Sequence, residues 1–229
     1  MAARNHSRKV QSSQVGIHPR LPGLLDRHRA VSWLQPLHRP TVAAFERLQR
    51  CLDGNGGGLI LDSGCGTAQS TQVLGERFPE STVIGVDKSL NRLGRAGANV
   101  FPHVENNVIR VHAQLESFWR LALAAGWKLE HHYLFYPNPW PKPGHIQRRW
   151  HGHPVFPDML ALGGRIEMRT NWATYAEEFA FAANRLAGSD IEPGRVEASG
   201  AVSPFERKYR DSGHALWSVV VPAQSSGVK

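Results

Sequence analysis

The chain has 229 residues and an ordinary 41% apolar content, which bounds it to one α/β-sized domain with extensions or at most two small ones. No stretch approaches the ~18 consecutive apolar residues of a membrane span, and two cysteines, Cys51 and Cys65, are too few for a disulfide framework or a cysteine-rich metal site, so neither a membrane nor a metal is expected as a partner. A net charge of +8 with twelve histidines uncounted favours a polyanionic partner without requiring one, because clustered charges and not totals hold phosphates.

The bases do cluster, in Arg4 to Arg20, Arg27 to Arg39, Lys142 to Arg149 and Arg207 to Arg210. The opening MAARNHSRKV is basic with no apolar stretch behind it, so no secretory signal is expected and a cytoplasmic, reducing setting is the default. Residues 1–22 are polar and read as a flexible basic arm. Residues 23–52 read as a helical extension, PGLLDRHRAVSWLQPL and then RPTVAAFERLQRCL, with Pro40 and a capping Thr41 at the start of the second helix. The run DGNGGG at 53–58 breaks it.

From there strands and helices alternate. LILD ends at Asp62, SGCGTAQ turns into the helix STQVLGERF, and TVIGVD ends at Asp87. A helix around SLNRLGRA, the strand VIRVHA, the helix LESFWRLALAAGW and the strand HHYLFY follow. GGRIEMRT is a strand, WATYAEEFAFAANRLA a helix, RVEAS a strand, and GHALWSVVV closes the body at about 222, leaving 223–229 as a loose tail. Such alternation predicts parallel pairing and a doubly wound sheet of seven strands.

Two places carry chemistry. In LDSGCGTAQS, Gly64 and Gly66 sit between a strand and a helix, where a tight turn lets backbone approach a ligand. Asp87 ends the next strand, placed to accept from ribose hydroxyls. Gln69 stands where a dinucleotide site needs a third glycine, which argues against NAD, and Asp62 offers a carboxylate to an ammonium group. S-adenosylmethionine therefore fits better than NAD; a purely structural turn is the remaining reading. Gln114, ending the third strand, reaches either the adenine edge or solvent. Cys65 reads as a packing residue, as do Trp172 and Tyr175.

The second place is YPNPWPKPGHIQRRW, with prolines at 137, 139, 141 and 143. It can be neither helix nor central strand. Proline stiffens the segment and leaves carbonyls free to accept, Asn138 adds an amide, and Trp140 offers either a flat face for a base or a packing surface. Lys142, His145, Arg148 and Arg149 suit phosphates, and His151 and His153 stand beside them.

NPWPKPGHIQRR resembles the DPWPKxxHxxRR signature of the tRNA (guanine-N7)-methyltransferase family, and the likeness spans roughly residues 59–221. LDSGCGTAQS is similar to that family's cofactor loop, VIGVD to its ribose strand, RIEMRTNWATYAEEF to its late strand and helix, and SPFERKYRDSGHALW to its closing segment. The resemblance implies a Rossmann-like methyltransferase fold whose last strand is antiparallel, S-adenosylmethionine as cofactor, and tRNA or another structured RNA as partner for a monomer or homodimer. It implies that Asp62, Asp87 and Gln114 line the cofactor; that Asn138, Lys142, His145 and Arg148 face guanine and its phosphates; and that Asn171, Ser203 and Glu206 complete the substrate pocket. The family has acids where this chain has Asn138, Asn171 and Gln114, and Thr where it has Ser203. Asn138 and Glu206 are the expected catalytic residues, with Glu206 either supplying the negative charge that Asn138 lacks or forming a surface salt bridge to Arg207 or Lys208. Three activities stay open: methylation of guanine N7 in tRNA, methylation of another position such as an exocyclic amine, and RNA binding without transfer.

Overall fold

A computed structural model describes residues 6–52, 57–95, 97, 100–197 and 200–223. The short apolar runs become buried strands: β1 (Leu59–Ser63), β2 (Thr82–Asp87), β4 (Val108–His112), β5 (Leu129–Phe135) and β6 (Arg165–Thr170), and β1 pairs in parallel with both β2 and β5. β2 pairs in parallel with β4, and β5 with β6. Parallel strands covered on both faces favour apolar residues at nearly every position; TVIGVD of β2 reads as such a run, whereas RIEMRT of β6 alternates and pairs Glu167 with Arg165 and Arg169.

Among the described residues the sheet has eight strands, in the order β3-β4-β2-β1-β5-β6-β8-β7, one more than the sequence suggests. β3 (His103–Glu105) forms an antiparallel hairpin with β4, too short to leave a hydrophobic pattern. β8 (Trp217–Val221) is antiparallel to β6, as expected, and β7 is reduced to Gly194–Arg195 beside it. Chain order runs outward from β1 through β2 to β4 and then returns to β5, so the topological switch point lies between β1 and β5.

Ile60 and Leu61 point to opposite faces and join different cores. Leu61, Ile84 and Val86 pack against α1 (Leu21–Ala30), α2 (Arg39–Leu52), α5 (Leu115–Ala124), α6 (Phe156–Ala161) and α7 (Ala173–Ala187); Ile60 and Val83 pack with Leu74 of α3 (Gln69–Arg77) and Val202. Two further helices, α4 (Leu90–Gly94) and α8 (Pro204–Asp211), follow β2 and precede β8. Thr41 lies inside α2 and does not cap it: its buried hydroxyl accepts from the Gln114 N–H at 3.0 Å and ties α2 to the entrance of α5.

The arm departs from the sequence reading. Its described part, from residue 6, follows the body: the Ser7 N–H donates to Ser212 Oγ (2.8 Å), Ser12 Oγ to the Pro141 carbonyl (2.6 Å) and the His18 N–H to Glu178 Oε1 (2.9 Å). Local polarity suggests disorder, but a buried carboxylate on α7 needs donors, and the arm supplies them. Residues 224–229 of the expected loose tail lie outside the described residues. Among the described residues no helix is long and apolar enough to cross a membrane, and no cluster of His, Cys, Asp and Glu is set to hold a metal ion.

Candidate active site

A cavity of about 460 Å³ opens at the carboxyl ends of β1, β2 and β5, at the switch point where doubly wound sheets gather ligands. A larger groove of about 770 Å³ lies at the opposite, amino ends of β5 and β6, where Arg29, Lys128 and Glu130 join an otherwise apolar lining.

One side of the cavity is the glycine turn. Gly64 (φ +78°) and Gly66 (φ +60°) both take the left-handed conformation, and so does Ala68 (φ +59°), an uncommon state for a residue with a Cβ. The Gly64 and Cys65 N–H groups donate to the Val86 carbonyl (2.8 and 3.1 Å), folding the turn back over β2. A Cβ on Gly64 would stand 3.9 Å from Leu115, and one on Gly66 3.8 Å from Arg92; both neighbours belong to the cavity wall.

Asp87 lines the cavity at 2% exposure. Its Oδ2 accepts from the Gly66 N–H (3.0 Å), and its Oδ1 accepts from the Ser89 N–H (2.8 Å) and from Arg92 Nη2 (2.9 Å). A carboxylate offers about four lone-pair sites, so one acceptor position remains, and Arg92 is a half-exposed side chain able to yield its own. The bare backbone of the turn, a carboxylate at the end of β2 and the apolar wall of Leu115 and Leu134 fit the ribose, amino-acid and adenine parts of S-adenosylmethionine.

Asp62 does not face this space. Its Oδ2 accepts from Ser70 Oγ (2.6 Å) and Thr71 Oγ1 (2.8 Å), so it pins α3 to β1 from behind the turn, and its Oδ1 is buried without a hydrogen bond. Burial pushes its pKa up to about 6. Gln114 precedes α5, and no hydrogen bond of its side chain caps the helix; the cavity is lined there by Leu115 and Glu116 instead.

The facing wall is the proline segment: Tyr136, Pro137, Asn138 and Trp140 line the cavity with Arg148. Tyr136 (φ +51°) and Trp140 (φ +45°) are held in the left-handed region, a conformation that costs a bulky residue on the order of 1–3 kcal/mol and persists only where neighbours over-determine it. The Arg148 guanidinium lies 4.8 Å from the centroid of the Trp140 ring and His145 meets it edge-on at 5.6 Å. Lys142 is exposed and stands just outside the cavity.

The basic cluster divides. Lys142 and Arg148 are exposed, but Arg149 is completely buried, paired with Glu178 of α7 and bonded to the Trp140 carbonyl. It is therefore no phosphate contact. His151 is buried against Glu178 at 2.9 Å. His153 lines the cavity, and burial, helped by the nearby His28, lowers its pKa to about 4, so it carries no charge for a phosphate at neutral pH.

The other expected substrate residues form a separate network. Ser203 caps α8, its Oγ accepting from the Glu206 N–H (3.1 Å). Asn171 contacts His214 at 3.1 Å. Glu206 is fully buried and accepts from Arg169 (3.0 Å) and Arg210 (2.7 Å), with the buried Tyr136 hydroxyl near it. Its charge is already neutralised, so it is poorly placed to balance a cation in the cavity. The structure thus unites Gly64, Asp87, Asn138, Trp140 and Arg148 in one cavity and adds Glu116, Lys88, Arg92 and Gln147, which the sequence reading missed. Arg92, five residues after Asp87 on a short helix, and Glu116, in the first turn of α5, were the signals available for two of them.

Residues 57–219 match a family model described as "Putative methyltransferase". The tRNA (guanine-N(7)-)-methyltransferase of Ectopseudomonas mendocina is 30% identical over 166 residues, covering 68% of this chain and 68% of its own. The protein of the same name from Leifsonia xyli subsp. xyli is 28% identical over 177 residues, covering 69% and 73%. In fold the chain is similar to the 16S rRNA methyltransferase KamB (TM-score 0.56, 16% identity, 83% of this chain and 96% of that one). It is also similar to a mutant of the 16S rRNA (adenine(1408)-N(1))-methyltransferase from Catenulisporales acidiphilia, solved with S-adenosylmethionine (TM-score 0.53, 14% identity, 80% and 93%). The chain belongs to this methyltransferase family, whose relatives include tRNA (guanine-N(7)-)-methyltransferases, and is an S-adenosylmethionine-dependent methyltransferase.

Proposed function

We propose that the enzyme methylates N7 of a guanine in tRNA, in the cytoplasm. The observation that carries this reading is the single cavity at the switch point, with the glycine turn and Asp87 on one side and the Asn138–Trp140 wall on the other. S-adenosylmethionine, when bound, supplies an electrophilic methyl group. Guanine N7 presents a lone pair and no proton, so no general base is required and the chain's task is positioning and exclusion of water. Asn138 offers an amide to the edge of the base, and Trp140 limits one side of its slot. Exposed Lys142 and Arg148 suit the phosphates. His145 is held below its ordinary pKa by partial burial and then by its cationic neighbours Arg148, Lys142 and Arg149, so it enters as a neutral hydrogen-bonding group. We assign Asp87, Gly64 and Gly66 to the cofactor.

A second reading has a specific basis. Asn138 is neutral, and its carbonyl can accept from an exocyclic amine, which favours transfer to such an amine on another base. Incubating tRNA with labelled cofactor and mapping the mark decides between them. Label at guanine N7 is expected; label on an amine selects the second reading; RNA binding without any transfer overturns both.

A further inference from the structure

The Trp140–Pro141 corner of the substrate wall is held by one group far from it in sequence and one nine residues on. The Pro141 carbonyl accepts from Ser12 Oγ at 2.6 Å, and the Trp140 carbonyl accepts from Arg149 Nε at 3.2 Å. Two consecutive carbonyls of a segment whose Trp140 lies in the left-handed region are thus fixed, one by the N-terminal arm and one by a buried arginine. That arginine in turn depends on the arm. Glu178 splits its carboxylate: Oε1 accepts from Gln14 Nε2 (2.7 Å) and the His18 N–H (2.9 Å), while Oε2 takes Arg149 Nη1 (2.5 Å) and His151 Nε2 (2.9 Å). Gln14 closes the circuit, its Oε1 accepting from Arg149 Nη1 at 3.0 Å. Arg149, His151 and Glu178 are completely buried with the arm in place, so the arm's bonds are made where a polar group that loses a partner is costly.

We propose that residues 12–18 are a strap that sets the position of the substrate wall, with Ser12 and Gln14 as positioning residues acting through Pro141 and through the Arg149–Glu178 pair. Neither touches the reacting atoms. A wall residue held off its relaxed conformation returns to it when its restraints go, so loosening the strap lets Trp140 move and widens the slot that orients the base. The catalytic part of this inference rests on the tRNA reading; the structural part does not.

The test uses full-length Ser12→Ala, Gln14→Ala and Ser12→Thr proteins. Hydrogen exchange is followed across 142–149, where the His145 and Arg149 amides bond to Lys142 and Ile146. Both alanine variants are expected to speed exchange in that segment by about threefold or more. They are also expected to lower kcat for RNA by roughly tenfold with a smaller change in KM, since misplacement of the wall is a positioning defect. Cofactor affinity stays near wild type, as does the unfolding midpoint of Ser12→Ala, whereas Gln14→Ala, which takes a partner from both Glu178 and Arg149, lowers the midpoint; Ser12→Thr, which keeps the hydroxyl, behaves as wild type. Unchanged exchange across 142–149 in both alanine variants overturns the strap, as does faster exchange throughout the molecule in Ser12→Ala. Failure of the wild-type enzyme to modify tRNA would remove the functional reading and leave the exchange result standing.

Discussion

Asp87 and Asn138 face each other across the cavity and raise opposite questions. Asp87 is a buried carboxylate whose acceptor sites are mostly taken by Gly66, Ser89 and Arg92. If ribose displaces Arg92, each bond to the carboxylate is charge-assisted; Asp87→Ala is then expected to weaken S-adenosylmethionine binding about 100-fold by calorimetry, and an unchanged Kd would remove Asp87 from the cofactor site. At Asn138 the family pattern has an acid. Methylation at N7 leaves a cationic ring, and a carboxylate there would stabilise the developing charge. Asn138→Asp should raise kcat for N7 transfer by roughly threefold to tenfold; a fall in rate would favour amine methylation. Asp87 was legible in the sequence because strand, glycine turn and strand-end acid keep fixed spacing. The retreat of Asp62 behind the turn was not, because Ser70 and Thr71 compete for it only once α3 docks.

α8 and the proline segment show how one pattern conceals two roles. SPFE reads as a capping box, and Ser203 does cap α8, but Glu206 turns away to Arg169 of β6 and Arg210 of its own helix. Removing the charge from a buried carboxylate shared by two arginines takes an ion pair from each, while Arg169 keeps Glu167 and Arg210 keeps the Glu197 carbonyl. Glu206→Gln is therefore expected to cost on the order of 2–4 kcal/mol in chemical denaturation while leaving cofactor affinity intact. Loss of kcat at unchanged stability would instead return Glu206 to the catalytic centre. The same division splits Arg148 from Arg149: adjacent in sequence, one stacks on Trp140 in solvent and the other is sealed beneath it.

Across the whole molecule the histidines set the acid limit. His132 is lowered to about 3 by burial, and His153 to about 4 by burial and His28; His18, His28, His131 and His151 are also lowered, with burial the leading cause in each. Unfolded histidine titrates near 6.5, so below that pH the unfolded chain binds more protons and stability falls as pH drops toward 4 and then 3. Asp62 acts oppositely: raised to about 6, it favours the folded state as pH falls from there toward 3.8. The net loss at pH 5 relative to pH 7 should be on the order of 2–3 kcal/mol, read from urea unfolding; constant or rising stability over that range would refute the balance.

The sequence by itself determined the parallel strands, the glycine turn with its strand-end Asp87, the proline wall and hence the class of chemistry, because each depends on spacing and on residues with few conformational choices. Only the tertiary structure decided which charges face the cavity and which are buried in pairs, and that the polar N-terminal residues lie against the wall. Those outcomes depend on partners separated in sequence, from Arg149 with Glu178, 29 residues apart, to Ser12 with Pro141 and Gln14 with Glu178, more than a hundred apart, and a local pattern carries no record of the donors that a distant buried carboxylate will recruit.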